Sequence, residues 1–308
     1  IVRPQRLLAA KAWHDKTHRF NNIYYFICRR DWIEEALKQA LDNKGSGTAG
    51  IDGQTVANLR KQEERTQLVN EIHRGLKSKQ YHPTPVRRAY VPKRDRRKRP
   101  LGIPTIKDRV VQCLLKMLLE PIYESDFFDC SSGFRTMRRT MDCIASCYTN
   151  INSLHKYYWV IEGDIEGCYD NIHHGNLLKQ IQRRIADEKI VKLIRHCLKA
   201  GYLEDWQFHR TYSGTPQGGT ISPLLANIFL HQLDEFIEDE LKANVRQRER
   251  ESKARRNPQY RKIENKIHRL RRKLNQKNDK GRSPITKELN QLEKELSNMH
   301  RTNIIHAK

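Results

Sequence analysis

Residues 159–174 read WVIEGDIEGCYDNIHH, a mostly apolar run leading into one carboxylate, Asp164, with a second, Asp170, six positions on. A carboxylate fixed at a strand end suits a divalent cation, because hard ions such as Mg2+ need oxygen ligands held in place. A buried strand followed by an ordinary polar turn has the same look, so this stretch alone does not decide. Two other groups bear on it. Six positive residues lie between Lys93 and Arg99, and like charges at that density repel unless an anion is near. Gly214, Gly218 and Gly219 surround Gln217, and residues without a Cβ let backbone approach a ligand closely.

The elements that must position these groups are legible in outline. RRAYVP, a charged segment and RPLGIP read as a β-hairpin with a cationic tip, Pro92 and Pro104 sitting at strand ends. YYWVIEG has the β-branched and aromatic content of a strand ending at Asp164. GTPQGGTISPLLANIFLHQLDEFI is a glycine turn feeding a helix, with Ser222 as N-cap, Pro223 at the first helical position and an apolar stripe through Leu225, Ile228, Phe229, Leu233, Phe236 and Ile237.

Elsewhere the pattern is helical. Leu8 and Ala12, then Ile33, Leu37 and Leu41, mark wet-faced helices over 1–44, before a glycine-rich break at 45–55 and a charged helix over about 56–76. That break lacks the lysine of a P-loop and is a weak phosphate-binding signal. An apolar helix starts at Asp108 and is expected to end at Pro121, a further helix follows the turn at 127–144, and 175–200 are helical. YLEDWQFHRTYSG reads as a strand pair. Past about Lys242, Ile263, Ile267, Leu270 and Leu274, and then Leu289, Leu292, Leu296 and Met299, predict two antiparallel helices joined by NDKGRSP.

The 308 residues hold 59 lysines and arginines against 36 aspartates and glutamates, a formal net charge of +23, which points to a polyanionic partner, nucleic acid before membrane. No apolar run spans a bilayer and no signal-peptide pattern opens the chain, so a soluble, intracellular, cytoplasmic protein is expected, with no membrane partner. Seven cysteines without C-x-x-C and thirteen histidines without H-E-x-x-H indicate neither a disulfide framework nor a zinc site. Cys143 and Cys147 read as core thiols. Ile1 at the start and the apolar beginning in NIIHAK at the end suggest part of a longer protein.

Taken in order, GTAGIDGQT, VPKRDRRKRPLGIPTIKDRVVQ, SSGFRTMRRT, VIEGDIEGCYDNI and GTPQGGTISPLLANIFLHQLDEFI resemble the fingers and palm of a group II intron-encoded reverse transcriptase, or maturase, over about residues 45–240. The resemblance implies an α+β right-hand polymerase fold in which an antiparallel palm sheet is backed by helices. It implies four regions: an N-terminal helical extension with the start of the fingers (1–85), fingers with the cationic hairpin (86–157), palm with interleaved fingers elements (158–241) and a basic helical insertion (242–308).

The resemblance also implies roles. Asp164 is the catalytic carboxylate and metal ligand, with the backbone carbonyl of Ile165 as a further ligand, in a two-Mg2+ site of the kind that stabilises attacking and leaving oxygens. Lys93 and Arg99 hold the incoming dNTP, where arginine forks onto phosphate oxygens and lysine acts as a point charge. Tyr169 packs under its sugar and excludes a 2′-hydroxyl, and Gln217 with Gly218 lies beside sugar and base. Arg94, Arg96, Arg97 and Lys98 steer RNA. Gly133, Phe134 and Arg135 match a fingers turn near the template, although a buried phenylalanine beside a surface arginine explains them nearly as well. Asp170 braces its turn.

One departure stands out. Relatives carry a Tyr-Ala-Asp-Asp hairpin whose aspartates complete metal binding, and this sequence contains no consecutive Asp-Asp. Expected partners are intron RNA and an RNA template with its DNA primer; self-association as a homodimer is left open. The leading expectation is RNA-directed DNA synthesis in the full-length protein, with help to its own intron RNA in splicing and mobility, this chain binding RNA without polymerising. The alternative is a non-enzymatic RNA-binding splicing cofactor, whose mark would be loss of the nucleotide site, and a general basic scaffold predicts no such ordered constellation.

Overall fold

The computed structural model describes residues 1–92, 98–154, 161–215, 218–244, 258–274 and 282–298, and the chain divides into two compact units, Ile1–Glu235 and Phe236–Lys308. Lys93, Arg94, Arg96, Arg97, Pro216 and Gln217 lie outside the described residues, as does the first part of the strand expected before Asp164.

The first unit is built around α5 (Ile106–Tyr123), which is buried along nearly its whole length and packs against α1 (Val2–His14), α3 (Arg30–Asp42) and α4 (Gln62–Lys77). Leu8, Ala12, Ile33 and Leu37 are core residues, as their spacing requires. Thr105 caps α5 by accepting from the Asp108 N–H at 3.1 Å. Pro121 does not end α5. A proline here removes the N–H that would bond the carbonyl four residues back, and that carbonyl, of Met117, instead accepts from Gln5 Nε2 at 2.9 Å. An outside donor has replaced the missing one, and the helix runs on to Tyr123.

The hairpin forms as expected: β1 (Val86–Pro92) pairs antiparallel with β2 (Lys98–Ile103). The expected strand pair is β3 (Tyr202–Glu204) with β4 (Gln207–His209), and β3 runs parallel to β1, giving a mixed sheet of order β2-β1-β3-β4. The class is α+β, as expected, and the described sheet is this mixed one, built from the hairpin and the 202–209 strand pair. Residues 161–165 form no strand, and Ile161 is 99 % exposed. No described strand pairs with this segment, and an extended chain without a ladder leaves its N–H and C=O groups to water.

Residues 175–200 hold two helices, α8 (His174–Arg184) and α9 (Glu188–Leu198), after the single turn of α7 (Cys168–Asn171). α10 (Ser222–Glu235) buries Leu225 and Ile228, but its predicted stripe fades: Leu233, Phe236 and Ile237 are exposed. α6 (Thr140–Thr149) buries none of its residues; Cys143 is half-buried and Cys147 exposed, so neither is a core thiol.

In the second unit the helices Pro258–Leu274 and Arg282–Ser297 pair through Ile267, Leu270, Leu289 and Leu292, flanked by Ile263, Ile285 and Leu296. This is the narrow seam that the four-three spacing predicts.

Candidate active site

The glycine turn is pinned from three sides. Thr215 N–H donates to the Tyr169 carbonyl at 2.8 Å, Gly214 N–H to Ile172 O at 2.8 Å, and Thr220 N–H to Gln112 Oε1 on α5 at 2.8 Å. Gly214 has φ +86°, and a Cβ there would lie 2.8 Å from the Asp170 carbonyl; Gly218 has φ +109°, and its Cβ would lie 2.9 Å from the carbonyl of Gly102 on β2. Both positions need glycine for conformation and for room. The turn is therefore wedged between the Tyr169–Asp170 backbone and the hairpin.

That wedge brings predicted site residues together. Arg99 on β2 is exposed and close enough for its charge to oppose the upward shift of the half-buried Tyr169 hydroxyl, which burial causes first and Cys168 reinforces. Asp164 is exposed and acts on Cys168: burial raises that thiol and the Asp164 carboxylate raises it further. Arg99 thus lies within electrostatic reach of Tyr169, and Gly218 lies against Gly102 on the same strand as Arg99, with Asp164 within electrostatic reach of Cys168, the residue next to Tyr169.

Several positioning groups gave no sequence signal. His174, 6 % exposed, donates from Nε2 to the Gly214 carbonyl at 2.7 Å, and burial is the first cause holding its pKa below 6.5. As a neutral donor it keeps Nδ1 unprotonated. Ser213 Oγ donates to the Asp170 carbonyl at 3.0 Å, so the Asp170 backbone is one anchor of this turn. Asp108, 3 % exposed, accepts from the hydroxyls of Tyr81, Thr84 and Thr105 and fixes the approach to β1 against α5. A histidine beside another histidine, or an aspartate in a helix's first turn, does not announce such partners.

The fingers turn inverts the sequence expectation. Phe134 is 73 % exposed at φ +56°, whereas the Arg135 side chain is 4 % exposed. Its guanidinium forks onto Glu124 at 2.7 and 3.1 Å and donates to the carbonyls of Phe128 and Ser131, both at 2.6 Å. Those partners occupy four of the five guanidinium N–H donors, so Arg135 shapes the turn, and Phe134 is the residue it presents outward. Asn227 on α10 holds the Gly133 carbonyl at 2.7 Å. The glycine-rich loop is likewise turned the wrong way for phosphate: the carbonyls of Gly45, Thr48 and Ala49 accept from Arg109 and Arg87.

For a metal, Asp164 and the Ile165 carbonyl are oxygen donors of the right hardness. Among the described residues no group of three or more His, Cys, Asp or Glu side chains is placed to hold an ion, so this donor set does not by itself fit a two-metal site. Among them, too, no helix is long and apolar enough to cross a membrane.

Residues 91–247 match the family described as reverse transcriptase (RNA-dependent DNA polymerase). The group II intron-encoded protein LtrA of Lactococcus lactis subsp. cremoris is 41% identical over 282 residues, which cover 90% of this chain and 44% of that protein. Protein YkfC of Escherichia coli K12 is 37% identical over 243 residues, 78% of this chain and 63% of the relative. Among solved structures, a chain of a Cas6-RT-Cas1–Cas2 complex aligns with 69% of this chain at 21% identity and a TM-score of 0.46, covering 34% of its own length. This chain spans less than half the length of LtrA.

Proposed function

The chain belongs to the reverse transcriptase (RNA-dependent DNA polymerase) family, and on that premise we propose that it forms the fingers and part of the palm of a group II intron-encoded enzyme that copies RNA into DNA and binds its intron RNA. The observation that supports this most directly is that the glycine turn is held between Tyr169 and the hairpin strand bearing Arg99, through the Thr215–Tyr169 bond and the Gly218–Gly102 approach. A cation on the hairpin, an aromatic ring and a side-chain-free turn around one space suit a nucleoside triphosphate: charge for phosphates, a ring for the sugar, bare backbone for close approach.

In this proposal Lys93 joins Arg99 on the triphosphate, Gln217 lies beside the nucleotide, and Arg94, Arg96, Arg97 and Lys98 guide RNA at the hairpin tip. Gly133 and Phe134 face the template. Asp164 and the Ile165 carbonyl would supply the first ligands of a Mg2+ pair completed by carboxylates outside this set, and the ions would stabilise charge developing in phosphoryl transfer. The 308-residue chain binds RNA but does not extend a primer, because a single carboxylate of the set cannot hold two ions.

Primer extension on an RNA template tests this, using the chain alone and a protein in which the Tyr-Ala-Asp-Asp hairpin follows residue 308. Synthesis is expected only from the longer protein, and Asp164→Asn should lower it by at least ~10³-fold, since metal stabilisation contributes several kcal/mol. DNA synthesis that tolerates Asp164→Asn overturns the polymerase reading and leaves an RNA-binding splicing cofactor.

A further inference from the structure

The two helices of the second unit differ sharply in charge. Pro258–Leu274 carries seven lysines and arginines against one glutamate, whereas Arg282–Ser297 carries three of each sign. The neutral helix spends two carboxylates on its partner: Glu288 pairs with Lys266 at 2.9 Å and Glu293 with Arg271 at 2.7 Å. Lys266 and Arg271 flank the apolar seam, so these pairs neutralise its margins.

What remains is a row on the opposite face. With Ile263, Ile267 and Leu270 on the seam, a period of 3.6 places Arg261, Lys262, Arg269 and Arg272 on the far side of the helix. All four are exposed, and among the described residues none of them has an ion pair. Eleven residues at 1.5 Å each spread the row over about 16 Å. We infer that the outward face of Pro258–Leu274 is a phosphate-binding ridge for structured RNA, and that Arg282–Ser297 is its support rather than a second RNA surface. The inference rests on the RNA-binding part of the proposed function and assigns it to one face of one helix.

RNA fits this ridge better than the other polyanions. A helix that lies on a membrane needs an apolar face free to insert, and here that face is taken by the partner helix. An acidic peptide is held in a groove, whereas four cations along one face of a single helix form a row matched to a line of phosphates. Duplex RNA presents rows of phosphates beside a wide, shallow minor groove, which a protein reads through shape and backbone charge.

The test is RNA affinity against salt, measured with the 308-residue chain and a labelled RNA hairpin of generic sequence. The quadruple variant Arg261→Gln/Lys262→Gln/Arg269→Gln/Arg272→Gln retains good helix formers, and circular dichroism checks that the helices persist. Each phosphate contact contributes about 0.7 to 0.9 to the slope of log K on log salt, so the quadruple variant should lower that slope by about 3. The control Lys287→Gln/Lys294→Gln, on the supporting helix, should change it by less than about 1. Equal changes from both variants, or an unchanged slope in the quadruple one, overturn the ridge while RNA binding by the chain stands. Absence of salt-dependent RNA binding in the unsubstituted chain removes the RNA reading itself, and preferential capture of anionic phosphatidylserine vesicles overturns the choice of partner.

Discussion

Thr215 donates its backbone N–H to the carbonyl of Tyr169 at 2.8 Å, so the glycine turn and the tyrosine ring share one rigid join. Gly214, one residue earlier, lies against the same stretch of backbone, where a Cβ would come within 2.9 Å of the Tyr169 carbonyl. Disturbing either half must move the other.

Gly214→Ala therefore costs more than a glycine substitution in an open loop. A Cβ at φ +86°, 2.8 Å from the Asp170 carbonyl, forces the turn outward, and strain of this kind is worth about 1–3 kcal/mol. The melting temperature should drop by several degrees. Gly133→Ala, where nothing lies within 4 Å of the added carbon, should leave it unchanged.

Tyr169 reads the sugar in the proposed site. In the longer protein that extends primers, Tyr169→Ala should admit ribonucleotides about 10- to 100-fold more readily relative to deoxynucleotides, the range over which apolar pockets discriminate small groups. Tyr169→Phe should keep the discrimination, since the ring and not the hydroxyl does the excluding. Competition between labelled rNTP and dNTP measures it.

His174 predicts a pH dependence. Its folded pKa lies below 6.5, chiefly from burial, so the unfolded chain binds a proton first as pH falls. Its contribution to stability is complete above 6.5 and is lost as pH drops from there through the lower folded value. His196, shifted down first by burial and then by His82 and Lys192, acts in the same direction. Urea midpoints should be flat from pH 8 to 7 and decline below 6.5, and His174→Gln, which keeps a donor for the Gly214 carbonyl, should reduce that decline.

Arg135→Lys separates packing from RNA contact. A lysine keeps the charge but cannot serve Glu124, Phe128 and Ser131 together, and losing these bonds should cost about 2 kcal/mol. Stability should fall by that amount in chemical denaturation, while RNA affinity at fixed salt stays within a factor of about two, well under the 1.4 kcal/mol that marks tenfold.

The periodic elements and the hairpin were readable from residue order because their cause is local: Ile33 and Leu37 recur at helical spacing, and alternation brackets the charged tip. Asp164, Arg99, Tyr169 and Gly218 were named together through the motifs that contain them, and their shared role is the proposal made above. What escaped was anything decided by a distant partner. Pro121 stays helical because Gln5 supplies a donor, Arg135 is interior because Glu124 faces it, and among the described residues no strand pairs with 161–165. His174 as the keeper of Gly214 belongs to the same class, since forty positions of chain separate the two.

Arg184 gathers the carbonyls of Ala12, Asp15, Lys16 and His18 and forms an ion pair with Asp126 at 3.0 Å. The first of those bonds spans 172 positions. During synthesis, this clasp on residues 12–18 cannot close until α8 has been made, 172 positions after Ala12. The apolar face of α1 can dock on α5 well before that, so the Arg184 clasp is a late lock on a segment whose core contacts are already available.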